Sequence, residues 1–170
     1  MVVSVTVLPC DVVVVGAGPI GLETAAVLPQ DGYDVRVLDA GPIGATVART
    51  FPPQTRFFTS PERLQLSGTA IAPVNQEKLT GEEYLAYLRE YVAGHRLRVD
   101  TFTRVVDGST DPLTVVARTL AGMERTYTAR WLVLATGGTD RPRRLGVHGE
   151  DLPMCGPSSV IRIGTPGAGS

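Results

Sequence analysis

Residues 11–39, DVVVVGAGPIGLETAAVLPQDGYDVRVLD, restrict the fold more than any other stretch of this chain. After Asp11 comes an unbroken apolar run, Val12 to Val15. Such a run suits a central strand buried on both faces of a parallel sheet. Gly16 ends it. From Pro19 to about Leu28 the spacing turns helical, and Pro19 falls where the first turn of a helix tolerates a missing N–H. Pro29 removes a backbone donor and predicts an early end or a kink. Gly32 then turns the chain into a second strand, Val35 to Leu38, which delivers Asp39.

Within this strand–turn–helix–strand unit the glycines fall as Gly16-x-Gly18-x-x-Gly21. Gly16 permits the sharp turn out of the strand. Gly18 lets the backbone approach a pyrophosphate, and Gly21 lets helix and strand pack closely. The helix N-terminus offers unpaired N–H groups and partial positive charge to phosphates. Asp39 lies 23 residues beyond Gly16 and is placed to accept hydrogen bonds from ribose hydroxyls. An acid there disfavours a 2′-phosphate, so NADP is a poor occupant. The spacing points to a dinucleotide and leaves FAD and NAD both open.

A chain of 170 residues suffices for one domain with a real core. The net charge of −1 gives no argument for nucleic acid or an anionic membrane. Cys10 and Cys155 stand far apart, in neither disulfide-scaffold nor metal-ligand spacing. The opening MVVSVTVLPC is apolar but lacks the basic start of a signal peptide, and no run approaches the roughly 20 apolar residues of a membrane span. A soluble cytoplasmic protein is expected. His95 and His148 lack partners at ligand spacing and read as surface histidines; no metal site is expected.

Residues 40–62 read as loop with one short helix. Thr80 and Glu83 form a capping box ahead of an apolar stripe, Tyr84, Leu85, Leu88, Tyr91 and Val92. LRVDTFTRVV is a third parallel-strand candidate. Antiparallel strands are predicted at about 113–120 and 124–130 around a turn at Ala121-Gly122, leading into a buried strand, Leu132 to Ala135. The short basic cluster Arg141 to Arg144 reads as a solvated linker face, and the chain beyond about Gly138 reads as loop.

The meander followed by WLVLATGG resembles the N-terminal FAD-binding part of the pyridine nucleotide-disulfide oxidoreductase superfamily. FPPQTRFFTSPERLQLSG, GEEYLAYLREYV and GEDLP resemble, more narrowly, segments of its thioredoxin-reductase-like bacillithiol-disulfide reductase group. The resemblance implies an α/β fold: a Rossmann-like FAD-binding domain over residues 1–153, with a mainly parallel sheet and a three-stranded β-meander. It implies FAD as cofactor and NAD(P)H as co-substrate of the complete enzyme. By the same resemblance Gly16, Gly18, Pro19 and Gly21 face the pyrophosphate and Asp39 the adenosine ribose. Thr103 and Arg104 lie near the adenine, and Thr136 and Gly137 near the flavin-bearing end. Phe58, Thr59 and Ser60 are candidates for the flavin face, with core packing the alternative for Phe57 and Phe58.

The sequence also departs from the group. Ile20 occupies the place in the glycine turn where the group often carries a cysteine, and no CxxC is present. No residue is assigned as catalytic acid, base or nucleophile. Residues 154–170 are expected to form an irregular tail, the start of a missing NAD(P)H domain. The expectation is therefore the flavin half of an NAD(P)H-dependent oxidoreductase, truncated before its NADPH domain and open on one side of the cofactor. A small-molecule or thiol/disulfide acceptor belongs to the complete enzyme, and self-association is compatible with this reading. An NAD-binding protein and a catalytically incomplete nucleotide-binding fragment are the alternatives.

Overall fold

The four valines form β2 (Val12–Val15), and Val12, Val13 and Val14 are at most 2% exposed. The structure, a computed structural model, describes residues 6–52, 54–72, 77–138, 146–149 and 152. After β2 come α1 (Pro19–Val27), a 3₁₀ turn at Leu28–Asp31 containing Pro29, and β3 (Val35–Leu38). The α-helix thus stops just before the proline, whose ring and missing N–H disfavour continuation. Then follow α2 (Ala45–Thr50), a 3₁₀ turn at Pro61–Arg63, α3 (Gly81–Gly94) and β4 (Val99–Asp100). Four strands follow: β5 (Thr103–Thr110), β6 (Leu113–Thr119), β7 (Glu124–Thr128) and β8 (Trp131–Leu134).

One sheet has the order β4-β3-β2-β8 and is parallel throughout. The other consists of β5, β6 and β7 as an antiparallel meander, joined by β1 (Thr6–Pro9) running parallel to β7. The α/β fold is Rossmann-like, with a mainly parallel sheet and a meander. The strand β1 is an addition to the expected meander, and its short apolar run carries no pattern that predicts its pairing.

Side chains alternate along a strand, and here the alternation builds two core layers. Val12, Val14, Val35 and Val37 face α1 and α3, where Leu22, Ala25, Tyr84, Leu88 and Tyr91 are buried. Val13 and Leu38 face the meander and pack with Val115, Ala117 and Tyr127. The capping box of α3 forms as the sequence predicts: Thr80 Oγ1 accepts from the Glu83 N–H, and Glu83 Oε2 accepts from the Thr80 N–H at 2.7 Å.

Two strand expectations need correction. LRVDTFTRVV is not one strand. Val99–Asp100 pairs with β3, while Thr103–Thr110 belongs to the meander. Between them the chain turns at Phe102, a non-glycine residue with φ +51°. The strand expected to be buried at Leu132–Ala135 is an edge: among the described residues β8 pairs with β2 alone, and Trp131, Leu132 and Leu134 are 59%, 40% and 71% exposed.

Candidate functional site

The C-terminal ends of β2, β3 and β8 and the start of β5 surround a cleft of about 490 Å³. Ligands in open α/β sheets bind at this carboxyl edge. Gly16, Gly18, Pro19, Asp39, Arg104, Thr136 and Gly137 all line it. Gly21 does not, because it is buried beneath the turn.

The three fingerprint glycines meet different surroundings. Gly16 has φ +117°, and a Cβ on it would stand 2.2 Å from the Ala135 carbonyl oxygen. A Cβ on Gly21 would stand 1.9 Å from the Gly16 carbonyl oxygen. Both positions are closed by the fold itself. Gly18 has φ −82° and ψ 179°, a conformation open to any residue, and its Cβ would meet nothing within 4 Å. Neither backbone nor packing requires a glycine there. The empty space lies over the N-terminus of α1, which has no side-chain cap and no acid in its first turn. The contrast with the fully capped α3 is direct: among the described residues no side chain caps the first turn of α1, and N–H groups at such a terminus suit an anion. A pyrophosphate fits this cradle in size, charge and donor set.

Asp39 borders the same space. Its Oδ2 accepts from the Ala17 N–H and its Oδ1 from the Gly41 N–H, each at 2.7 Å. Arg49 and Arg104 are the arginines in the cleft wall. Thr103 is buried, whereas Arg104 beside it is exposed.

Sequence reasoning missed the far wall of the cleft, which runs from Ala40 and Gly41 through Gly44 to Thr46, Val47 and Arg49. Its signal was the pair of glycines in AGPIGA. Gly44 has φ +69°, and a Cβ on it would stand 2.5 Å from Leu85 Cδ2. Phe58, Thr59 and Ser60 are not among the residues lining the cleft. Phe57 packs between Phe51 and Tyr84, with ring centroids at 4.4 and 5.2 Å, whereas Phe58 is 91% exposed.

His95 is not a free surface histidine. Its ring lies 4.3 Å from that of Tyr91, and Nε2 is 3.0 Å from Thr69 Oγ1. His148 is exposed. Burial, with Asp34 next, pushes the Cys10 thiol above its ordinary range. Its Sγ lies against the Thr128 carbonyl, away from the cleft lining. Cys155, Arg141 to Arg144 and the tail from Met154 lie outside the described residues. Among the described residues no group of His, Cys, Asp or Glu forms a metal site, and no helix is long and apolar enough to cross a membrane.

Comparison with known proteins matches residues 13–160 to the family described as pyridine nucleotide-disulphide oxidoreductase. Bacilliredoxin reductase Bdr of Bacillus subtilis (strain 168) is 34% identical over 142 residues, 83% of this chain and 42% of its own length. The solved bacillithiol disulfide reductase Bdr (YpdA) of Bacillus cereus superposes with a TM-score of 0.77 at 32% identity, covering 85% of this chain and 44% of that one. A flavin-containing monooxygenase from Stenotrophomonas maltophilia superposes with a TM-score of 0.70 at 29% identity, covering 81% and 41%. The chain spans less than half the length of these relatives.

Proposed function

This chain belongs to the pyridine nucleotide-disulphide oxidoreductase family, and we propose that it is the FAD-binding part of an NAD(P)H-dependent flavin oxidoreductase. The observation that carries the reading is Gly18, a glycine required by neither backbone nor packing, set over an uncapped helix N-terminus. The FAD pyrophosphate would lie against Gly16, Gly18 and Pro19 and meet the Ile20 N–H, with Gly21 beneath the turn keeping helix and turn close. Asp39 takes the adenosine ribose. Arg104 lies on the adenine side, and Thr136 and Gly137 lie toward the flavin. When bound, the flavin supplies the redox centre between NAD(P)H and an acceptor. The residues of the chain bind and orient it.

The domain proposed to hold the cofactor is residues 1–153. The acceptor in the complete enzyme is a small molecule or a thiol/disulfide, and the setting is cytoplasmic. Support for a thiol acceptor comes from the names of the relatives, one a bacilliredoxin reductase and another a bacillithiol disulfide reductase. Within the chain Ile20 fills the turn position, and the Cys10 Sγ lies against the Thr128 carbonyl, away from the cleft lining. The residues around the cleft are therefore assigned cofactor binding rather than disulfide exchange.

A second reading rests on β8. Parallel sheets are normally covered on both faces, and Trp131, Leu132 and Leu134 of β8 are exposed. On that reading the chain is a nucleotide-binding piece that needs a covering partner and is catalytically silent alone. The visible spectrum of the purified protein after incubation with FAD and removal of excess separates the readings. Retained flavin bands support the first reading. A colourless protein that binds NAD by calorimetry refutes it, and one that binds FAD only transiently favours the second. Anaerobic NADPH is expected to bleach little of any retained flavin.

A further inference from the structure

Asp39 is bonded through all of its polar groups. Besides the two side-chain bonds, its backbone N–H donates to the Asp100 carbonyl at 3.1 Å, and its carbonyl accepts from the Thr103 N–H at 2.7 Å. The side-chain bonds belong to a closed ring. Ala17, in the glycine turn, donates its N–H to Asp39 Oδ2. The Ala17 carbonyl accepts from the Gly44 N–H at 2.9 Å. Gly44 lies in the loop 40–44, whose Gly41 N–H donates to Asp39 Oδ1. Two of the three bonds tying the turn to this loop therefore end on one carboxylate. Ala17 is fully buried, so its N–H has no ready substitute acceptor in water.

We propose that Asp39 is a positioning residue: it holds the glycine turn and the loop 40–44 in binding-ready form before any dinucleotide arrives. An ionised carboxylate has about four acceptor sites. Two serve the ring, and the rest remain for ribose hydroxyls. Asp39 thus supports affinity twice, by contact and by preorganising the two walls. The second role needs no ligand, so it stands apart from the FAD reading; only its effect on affinity rests on that reading.

Amide hydrogen exchange of the unliganded full chain, read residue by residue by NMR, tests the proposal in Asp39→Ala and Asp39→Asn. Alanine removes both acceptors. In Asp39→Ala the Ala17 and Gly41 amides should exchange about tenfold faster or more relative to those of Val14 and Val37 in the same variant. Asparagine keeps one oxygen and turns an NH₂ toward the other N–H, so one of the two amides should lose protection and the other keep it. Unchanged exchange at both amides overturns the proposal. So does equal acceleration at Ala17, Gly41, Val14 and Val37, which would mark a general loss of stability. ADP binding by calorimetry reads the consequence separately: weaker binding is expected in both variants, more so in Asp39→Ala. Loss of ADP binding with Ala17 and Gly41 still protected would leave Asp39 a ribose contact alone and also overturn the positioning role. Faster exchange with no ADP or FAD binding in the parent protein would keep the positioning role and sink the dinucleotide reading.

Discussion

Gly16 and Gly21 are closed by neighbouring backbone, whereas Gly18 opens onto free space. Substitution by alanine should therefore sort them. Gly16→Ala forces a side chain into φ +117° and against Ala135, and Gly21→Ala drives one into the Gly16 carbonyl. Each is expected to lose about 1–3 kcal/mol or more in urea denaturation. Gly18→Ala should unfold within about 0.5 kcal/mol of the parent. A large loss at Gly18, or none at Gly16 and Gly21, would contradict this assignment. The sequence shows three identical letters at the right spacing, enough to place the turn. It does not show which glycine answers to the fold and which to the ligand. Asp39 is similar: its position at the strand end was legible, but its two backbone partners depend on loop geometry that no periodicity encodes.

At the scale of elements, α3 holds the loop 64–69 through a ladder of side chains. The Tyr84 hydroxyl donates to the Leu64 carbonyl, and Tyr91 donates to Ser67. Tyr87 accepts from the Leu66 N–H at 2.6 Å and donates to the Thr69 carbonyl at 2.9 Å. From α1, Glu23 accepts from both the N–H and the hydroxyl of Ser67. Tyr87→Phe should cost about 1–3 kcal/mol in urea denaturation, because the Leu66 N–H is left buried without its acceptor. An unchanged midpoint would show that the ladder does not hold the loop. Burial, followed by Tyr87 and Glu23, pushes the Tyr84 phenol from its ordinary value of 10.0 up to about 12. The folded state thus holds this proton more tightly than the unfolded chain. The resulting stability is present below pH 10.0 and is lost as pH rises toward about 12. Denaturation midpoints should fall across that window, and Tyr84→Phe should flatten the fall. The apolar stripe of α3 is legible from its spacing, and Tyr87, three residues after Tyr84 and four before Tyr91, belongs to the same buried face; its hydroxyl's bonds to the loop 64–69 are not legible, because that loop has no period. The break between β4 and β5 was hidden because the left-handed turn uses Phe102 where glycine or asparagine would have marked it.

At the scale of the molecule, the parallel sheet formed by the described residues ends on one side at β8, whose Trp131, Leu132 and Leu134 are exposed. An apolar edge strand invites pairing with another chain. Sedimentation velocity should show concentration-dependent association, and Leu134→Lys should suppress it without lowering the melting temperature. Association undiminished by that change would move the contact elsewhere. The α/β class and the meander were legible because buried parallel strands and alternating antiparallel strands carry different patterns. The exposure of β8 was not, because WLVL reads as buried whatever stands beside it. The central claim is that the space over Gly18 receives the pyrophosphate of FAD. Its most direct test is a titration of FAD, followed by flavin fluorescence, into the parent protein and Gly18→Ala, with NAD as competitor. The account predicts saturable binding at one site, weakened about tenfold or more by the added methyl group and little displaced by NAD. Equal FAD affinity in the two proteins, or displacement of FAD by a lower concentration of NAD, would contradict it.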